Sequence, residues 1–254
     1  MRVSSAFMTS PKTSPPTIKD DAWLRSPLGR YLLAQEQALV GQALQGVFGQ
    51  QLLQIGRWGD EQGFLCLSRT QRNALVDAYS SGGPCMHSAP EQLAVATHCV
   101  DAVLLPHTLE RSPAPHQVLR EVDRILVGDG HAIILGLNPG GPLGLRRLLS
   151  GKRFPPHCHG LIRMRRIEDW LKLLGFEIRS SRRFCFAWPM RALKENHLER
   201  IESLGTRYWP VIGGAYMVHA QKRVYGMTPI RPAARVRRRV GAGLAEPTTR
   251  SVHE

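Results

Sequence analysis

Residues 100–139 decide the fold, and they run VDAVLLPHTLERSPAPHQVLREVDRILVGDGHAIILGLNP. Residues 101–105 predict a strand that Pro106 closes, and residues 131–137 predict a second, almost wholly apolar strand. Between the two strands, apolar residues at helical spacing predict an amphipathic helix, which the glycines of 128–130 end. A strand, a helix and a strand in this order predict one unit of a parallel α/β sheet.

The rest of the chain continues this alternation of helices and strands. Several predicted strands are apolar along their full length, which indicates a mostly parallel sheet with helices on both faces. We therefore predict an α/β fold. Apolar spacing and short apolar runs predict helices over 29–46 and 167–174, and strands over 52–56, 73–78, 176–179 and 213–221.

Basic residues are concentrated in the second half of the chain. The chain has 34 Lys and Arg against 20 Asp and Glu, a net charge of +14. Residues 1–141 carry 11 basic and 12 acidic side chains, whereas residues 142–192 carry 12 basic and 3 acidic ones. This asymmetry predicts an anionic partner, nucleic acid or a phosphate-bearing molecule, for the second half. The alternative is a solubilising basic face without a partner.

The ends of the chain differ in composition from its middle. Residues 1–22 are rich in Ser, Thr and Pro and predict a disordered leader, residues 23–228 predict the folded domain, and residues 229–254 predict a basic tail. No apolar run approaches the roughly 18 residues of a membrane span. Five cysteines without a CxxC pair predict reduced thiols and a cytoplasmic location. Residues 157–159, His-Cys-His, lack a second ligand cluster, so no metal site is predicted.

The unit of residues 100–139 resembles the fourth strand, the following helix and the fifth strand of class I S-adenosylmethionine-dependent methyltransferases of the type 11-like group. The likeness rests on the strand that begins at Asp101, the Leu-Glu turn after it, the helix that ends Arg-Ile-Leu, and the glycine turn that follows. Residues 137–139, 169–177 and 220–223 are also similar to a bacterial subgroup with basic tails. The resemblance implies a Rossmann-like methyltransferase fold.

The resemblance also implies a cofactor site in the loop after the first strand. The family loop is acidic-x-Gly-x-Gly-x-Gly, and here residues 54–60 are Gln-Ile-Gly-Arg-Trp-Gly-Asp. Gln54 replaces the acidic residue, and Gly56 matches the first glycine, with Gly59 further along the loop. Arg57 and Trp58 have bulky side chains at positions where the backbone is expected to approach the cofactor. We expect Gln54, Gly56 and Gly59 to contact S-adenosylmethionine.

Three further residues are implied in cofactor binding. Asp77 lies near the offset of the acid that holds the ribose hydroxyls, although it also suits an ordinary turn. Glu91 or Ala89 aligns with the acid that meets the adenine amino group, and Leu105 lies near the end of the fourth strand. Only about 45 residues separate the first glycine from the fourth strand. The helices in this interval are therefore expected to be short or absent.

The ends of the fourth and fifth strands are expected to border the transferred methyl group. His107 follows the fourth strand, where it would act as a general base or, alternatively, cap the turn as an ordinary polar residue. Asn138 follows the fifth strand, and Arg146 follows the glycine-rich turn after it. We expect Asn138 and Arg146 to bind the substrate.

Two functions follow from these observations. The first is a cytoplasmic enzyme that transfers a methyl group from S-adenosylmethionine to an acceptor that the sequence does not identify. The second is a non-catalytic protein of the same fold, which binds RNA or a nucleic-acid-linked partner through its basic C-terminal half. The family resemblance makes the enzyme the main prediction, while the altered glycine loop and the basic second half keep the second function as the alternative.

Overall fold

The computed structural model describes residues 23–60, 63–78, 86–150, 158–186 and 213–224, which belong to one compact unit of the chain. In these residues the helices are α1 (Pro27–Leu44), α2 (Thr108–Arg111), α3 (Pro115–Ile125), α4 (Pro142–Ser150) and α5 (Met164–Leu173). The strands are β1 (Gln51–Ile55), β2 (Arg72–Asp77), β3 (Met86–His87), β4 (Val100–Pro106), β5 (Leu126–Leu137), β6 (Phe176–Phe184) and β7 (Ala215–Lys222).

The seven strands form one sheet in the order β3-β2-β1-β4-β5-β7-β6. The pairs from β3 through to β5 are parallel, whereas β7 runs antiparallel to both β5 and β6. The strand order reverses between β1 and β4, because β1 leads outward to β2 and β4 leads outward to β5. The predicted fold, a mostly parallel α/β sheet of the Rossmann-like methyltransferase type, is confirmed.

The sheet separates two hydrophobic cores, and the two-residue alternation of β4 contributes to both. Ala102 and Leu104 face the core that α1 covers, while Val103 and Leu105 face the core that α3 and α5 cover. All four of these side chains are completely buried. Burial on both faces explains why the strand is apolar along its length.

Helix α1 begins after Ser26, whose side-chain oxygen accepts a hydrogen bond from the Gly29 amide at 3.2 Å. Pro27 occupies the first helical position, which needs no amide hydrogen. Along the buried face of α1, residues spaced by four pack into its core: Leu32, Glu36, Val40 and Leu44. A glutamate is thus buried among aliphatic side chains, and its partners are described below.

The end of α3 differs from the prediction. The glycines of 128–130 were expected to end the helix, but α3 ends at Ile125 and the chain is extended from Leu126. Leu126 is completely buried and pairs with Val100 in the sheet, so strand pairing ends the helix before the glycines. Strand β6 also runs beyond the predicted residue 179, because β7 pairs with it as far as Phe184.

Between β1 and β4 the described residues contain a single 3-10 turn, Leu65–Leu67, and no α-helix. The prediction of short or absent helices in this interval is therefore confirmed for residues 63–78 and 86–99. The predicted leader and tail lie outside the described residues, so the domain boundaries stay a prediction. None of the described helices has both the length and the hydropathy needed to cross a membrane. The cytoplasmic location also stays a prediction.

We expect Gly136→Ala to destabilise the fold, because β5 packs tightly against β7 at this position. Gly136 pairs with Tyr216, and a Cβ on Gly136 would overlap the Tyr216 phenol ring. That phenol donates a hydrogen bond to the Ile162 carbonyl at 2.8 Å, so displacing it also disturbs the entrance to α5. Urea unfolding should show a loss of about 1–3 kcal/mol in the free energy of unfolding.

Gly46→Ala is the matched control for this experiment. A Cβ on Gly46 meets nothing within 4 Å, so its effect should stay within about 0.5 kcal/mol. Equal losses in the two variants would contradict the packing of Tyr216 against Gly136.

Candidate functional site

The candidate site lies at the carboxyl edge of the sheet, where β1 and β4 are neighbours but lead in opposite directions. Ligands of open α/β sheets bind at such a switch point, because the loops diverge and leave a crevice. Here the loop after β1 and the turn α2 after β4 form the two sides of that point. The residues of both segments are described in turn.

The loop after β1 depends on two glycines in the left-handed region. Gly56 has φ +89° and Gly59 has φ +66°, conformations that side chains with a Cβ rarely adopt. A Cβ on Gly56 would also come within 2.9 Å of the Thr108 hydroxyl oxygen. The Gly56 amide donates to the Val76 carbonyl at 2.8 Å, which joins the loop to β2. The turn itself therefore requires both glycines.

Trp58 packs into the interior of the protein. Its side chain is buried against α1, with its ring centroid 5.7 Å from that of Trp23 and 4.1 Å from that of His107. The indole Nε1 donates to Glu36 Oε2 at 2.8 Å. A buried carboxylate and an aromatic neighbour therefore hold the bulk that Trp58 adds to the loop inside the protein.

The Glu36 carboxylate and the Trp58 indole belong to a buried cluster centred on His107. His107 Nε2 lies 2.8 Å from Glu36 Oε1, and His107 Nδ1 lies 3.3 Å from Glu110 Oε2. The side chains of His107 and Glu36 have no exposed surface, and that of Glu110 is 1% exposed. We call Glu36, Trp58, His107 and Glu110 the buried quartet.

The surroundings of His107 hold a proton on its ring. Burial by itself lowers the pKa of an imidazole, but the charges and hydrogen bonds of Glu36 and Glu110 outweigh burial and raise the pKa of His107 to about 9. Burial raises the pKa of Glu110, and its contact with His107 acts in the opposite direction. His107 is therefore an imidazolium at neutral pH.

This geometry does not suit the predicted general base. Both ring nitrogens of His107 contact carboxylates, and the ring already carries its proton, so it has no acceptor nitrogen to offer a substrate. His107 instead precedes α2 with φ +54°, as the N-cap residue of that turn. The structure favours the alternative interpretation, in which His107 is a polar residue that shapes the turn after β4.

Turn α2 joins three strand ends. The Thr108 hydroxyl donates to the Ile55 carbonyl at the end of β1, and a Glu110 carboxylate oxygen accepts from the Leu137 amide at the end of β5. The His107 amide donates to the Leu135 carbonyl at 3.1 Å. The buried quartet and α2 therefore hold the ends of β1, β4 and β5 in one arrangement.

Gln54, Gly56 and Asp77 are brought together, because Ile55 and Val76 are paired in β1 and β2. Gln54 is completely buried, its Nε2 donates to the Gly56 carbonyl at 3.1 Å, and its Oε1 has no hydrogen-bond partner. Asp77 Oδ2 lies 4.0 Å from Arg57 Nε. The acid expected to hold ribose hydroxyls thus has a cationic neighbour in the loop after β1.

The other predicted cofactor residues are engaged within the protein. Glu91 accepts a hydrogen bond from the Ser112 hydroxyl in the segment after α2. Leu105 is completely buried in the core beneath α3, so its side chain is a core residue with no surface for a ligand. Its role in cofactor binding stays a prediction, which its backbone rather than its side chain would have to fulfil.

The predicted substrate residues lie after β5. Asn138 shapes the turn there, since its Nδ2 donates to the Gly213 carbonyl at 2.9 Å and its Oδ1 accepts from the Gly140 amide at 3.2 Å. Arg146 lies in α4 and is partly exposed. Their role in substrate binding stays a prediction.

Glu36 was not predicted as a functional residue, although its position in the sequence indicates one. Glu36 falls within the apolar stripe of the predicted first helix, where a carboxylate is buried only if it has a partner. That position indicates a buried polar contact. Its partners, Trp58 and His107, lie 22 and 71 residues away along the chain. Only the tertiary structure identifies them.

Comparisons with known proteins find relatives of this chain. The family description "Methyltransferase domain" matches residues 61–134, a segment that begins after the altered glycine loop. The Escherichia coli protein YafS is 30% identical over 233 residues, which cover 89% of this chain and 92% of YafS.

Solved methyltransferase structures share the fold. An S-adenosylmethionine-dependent methyltransferase of Thermotoga maritima has a TM-score of 0.61 at 16% identity, covering 81% of this chain and 95% of that one. A geranyl diphosphate methyltransferase in complex with S-adenosylmethionine has a TM-score of 0.55 at 16% identity, covering 84% and 93%. At these identities the likeness shows the fold alone.

The raised pKa of His107 predicts how the stability of the protein depends on pH. Because the pKa is about 9 in the folded protein and 6.5 as the ordinary value, the stabilisation is fully present below pH 6.5. It is lost as the pH rises through about 9. The free energy of unfolding should therefore fall over this range, by an amount on the order of 3 kcal/mol.

His107→Gln should remove this fall and lower the stability at neutral pH by roughly 3–5 kcal/mol, because Glu36 and Glu110 then lose their cation. His87→Gln, at an exposed position in β3, is the matched control and should keep the wild-type profile. Urea unfolding at a series of pH values measures both. An unchanged slope in His107→Gln would show that another group titrates.

Proposed function

This chain belongs to the class I methyltransferase family, and we propose that it binds S-adenosylmethionine at the carboxyl edge of its sheet and transfers the methyl group to an acceptor molecule. The observation that carries the proposal is the loop after β1. Gly56 and Gly59 keep the positive φ angles of a tight turn, and Trp58 is turned into the interior. The altered residues of the loop therefore leave a turn whose backbone a cofactor can approach.

The residues present fit the cofactor. The buried Gln54 Oε1 lacks a hydrogen-bond partner, and the ammonium group of the methionine part would satisfy it. The Asp77 carboxylate at the end of β2 would accept hydrogen bonds from the ribose hydroxyls. Arg57, next to Asp77, adds a positive charge that would face the methionine carboxylate. These groups would bind and orient the cofactor, and none of them takes part in the reaction.

The bound cofactor supplies an electrophilic methyl group, so the protein mainly has to align it with the acceptor. The buried quartet contributes rigidity, because it fixes α2 against the ends of β1 and β5. His107 keeps its own proton and takes none from the acceptor. An acceptor that is already nucleophilic, or that loses its proton to water, suits this site.

We expect the wild-type protein to bind S-adenosylhomocysteine with micromolar affinity in isothermal titration calorimetry. Asp77→Asn should weaken this binding about tenfold, because hydrogen bonds to a charged acceptor are worth roughly 1.5–3 kcal/mol. Asp60→Asn removes the same charge from an exposed position in the same loop and should leave the affinity unchanged. This pair separates a contact with the ribose from a general effect of charge.

No heat of binding at millimolar S-adenosylhomocysteine would contradict the methyltransferase proposal. Equal weakening in Asp77→Asn and Asp60→Asn would contradict the placement of the ribose at β2. Gly56→Glu is a poorer test, because the positive φ of Gly56 and its contact with Thr108 make any substitution there disturb the turn.

A second candidate is a non-catalytic protein of this fold that binds RNA or a nucleic-acid-linked partner. The observation that favours it is the engagement of two cofactor-binding acids, Asp77 with Arg57 and Glu91 with Ser112. Residues 142–192, with 12 basic and 3 acidic side chains, and the arginine cluster of residues 235–239 would together supply the contacts to phosphates, and neither set would suffice alone.

This candidate predicts salt-dependent binding of a fluorescein-labelled oligouridylate. Fluorescence anisotropy should show an affinity that falls about a hundredfold or more between roughly 50 and 200 mM salt. Deleting residues 229–254 should abolish the binding, because this segment carries the arginine cluster of 235–239. Absent or salt-insensitive binding would exclude the candidate.

A further inference from the structure

A cavity of about 740 Å³ lies beside α2. It lies between α2, the start of α3, the turn after β5 and the first turns of α5. Its volume falls in the range of roughly 300–1,000 Å³ that is typical of small-molecule sites. The apolar side chains that line it include Leu109, Pro113, Pro139, Leu161 and Ile162.

One wall of the cavity is a group of flat side chains that contact one another. The ring centroids of His116 and Trp170 are 3.7 Å apart, and the Arg166 guanidinium carbon lies 5.0 Å from the centroid of the Trp170 ring. Trp170 packs against the core beneath α3, so its position is fixed. A wall of this kind stabilises the apolar or aromatic part of a ligand and places a positive charge beside it.

The described ionisable side chains that line the cavity are all basic. Arg163 and Arg166 both line it, and neither makes an ion pair with any described residue. His116 and His159 are the other ionisable side chains on the described walls, and no described carboxylate lines them. A ligand with a negative group would neutralise guanidinium groups that have no acidic partner within the described residues.

From these walls we infer that the cavity binds an amphipathic anion, a small molecule with an apolar body and one carboxylate, sulfonate or phosphate group. The apolar body would lie against Trp170 and Leu109, and the anionic group would face Arg163 and Arg166. Size argues for a small molecule, and the absence of lining carboxylates among the described residues argues against a cation.

The position of the cavity connects this ligand with the methyl acceptor, an assignment that rests on the proposed function. Leu109 belongs to the same turn, α2, as Thr108, whose hydroxyl contacts the Ile55 carbonyl at the end of β1. Pro139 follows β5 directly after Asn138. The cavity thus borders the segments that follow β4 and β5, the strand ends beside which the methyl group is expected to lie.

The test uses the full chain and two fluorescent probes of similar shape. 1-Anilinonaphthalene-8-sulfonate carries one negative charge, and N-phenyl-1-naphthylamine is its uncharged counterpart. Arg166→Gln should weaken binding of the sulfonate about fivefold, the size of a partly exposed ion pair, and leave the uncharged probe unaffected. Trp170→Leu should weaken both probes, because it removes the apolar wall.

Arg165→Gln is the matched control, because Arg165 is exposed on the same helix and does not line the cavity. It should leave both affinities at the wild-type value. Equal sulfonate affinities in Arg166→Gln and Arg165→Gln would overturn the inference, since the probe would then bind elsewhere. Displacement of the sulfonate by inorganic phosphate or oligouridylate at equal concentration would also overturn it, because charge alone would then suffice.

The acceptor role is tested separately from the cavity. With saturating S-adenosylhomocysteine present, the sulfonate should still bind and the Arg166→Gln effect should persist, because an acceptor and the cofactor occupy the site together. Competition between the two ligands would overturn the acceptor role. A protein that binds the sulfonate through Arg166 but shows no heat with S-adenosylhomocysteine would refute the proposed function and the acceptor role, while leaving the amphipathic-anion site intact.

Discussion

The ion pairing of His107 with Glu36 and Glu110 is the contact on which the carboxyl edge of the sheet depends. Three ionisable groups without appreciable solvent exposure are stable there only because each carboxylate meets the same imidazolium. Their mutual geometry fixes α1 against the turn after β4. Thr108 and Glu110, on that turn, then bind the ends of β1 and β5. One buried cation therefore organises four separate segments of the chain.

This constraint also explains how an altered glycine loop keeps its shape. Trp58 would be too bulky for a loop that approaches a cofactor, but the Glu36 carboxylate and the His107 ring hold its indole inside. The loop retains the two glycines whose backbone angles require them. Trp58, which departs from the family pattern, is therefore accommodated by packing, and its indole is the aromatic member of the buried quartet.

The sheet edge has two sides with different character. Towards β2, the loop after β1 places Gln54, Arg57 and Asp77 together, a set of polar groups suited to a polar cofactor. Towards α5, the cavity presents Trp170 with Arg163 and Arg166, which have no acidic partner within the described part of the chain. This set suits an amphipathic anion. Turn α2 separates the two sides and contributes side chains to both. Because methyl transfer is a direct displacement, a methyl donor and its acceptor would have to come into contact beside this turn.

The sequence by itself determined the α/β fold, because residues 100–139 carry a strand, helix and strand pattern whose apolar spacing has one structural solution. It also indicated that helices between β1 and β4 are short or absent, because only about 45 residues separate the first glycine from the fourth strand. The tertiary structure alone decided the role of His107 and the direction of Trp58. Both depend on Glu36, a partner 71 residues from His107, and local spacing carries no information about such contacts. The end of α3 was likewise decided by the pairing of Leu126 with Val100, because strand pairing outweighed the local glycine signal.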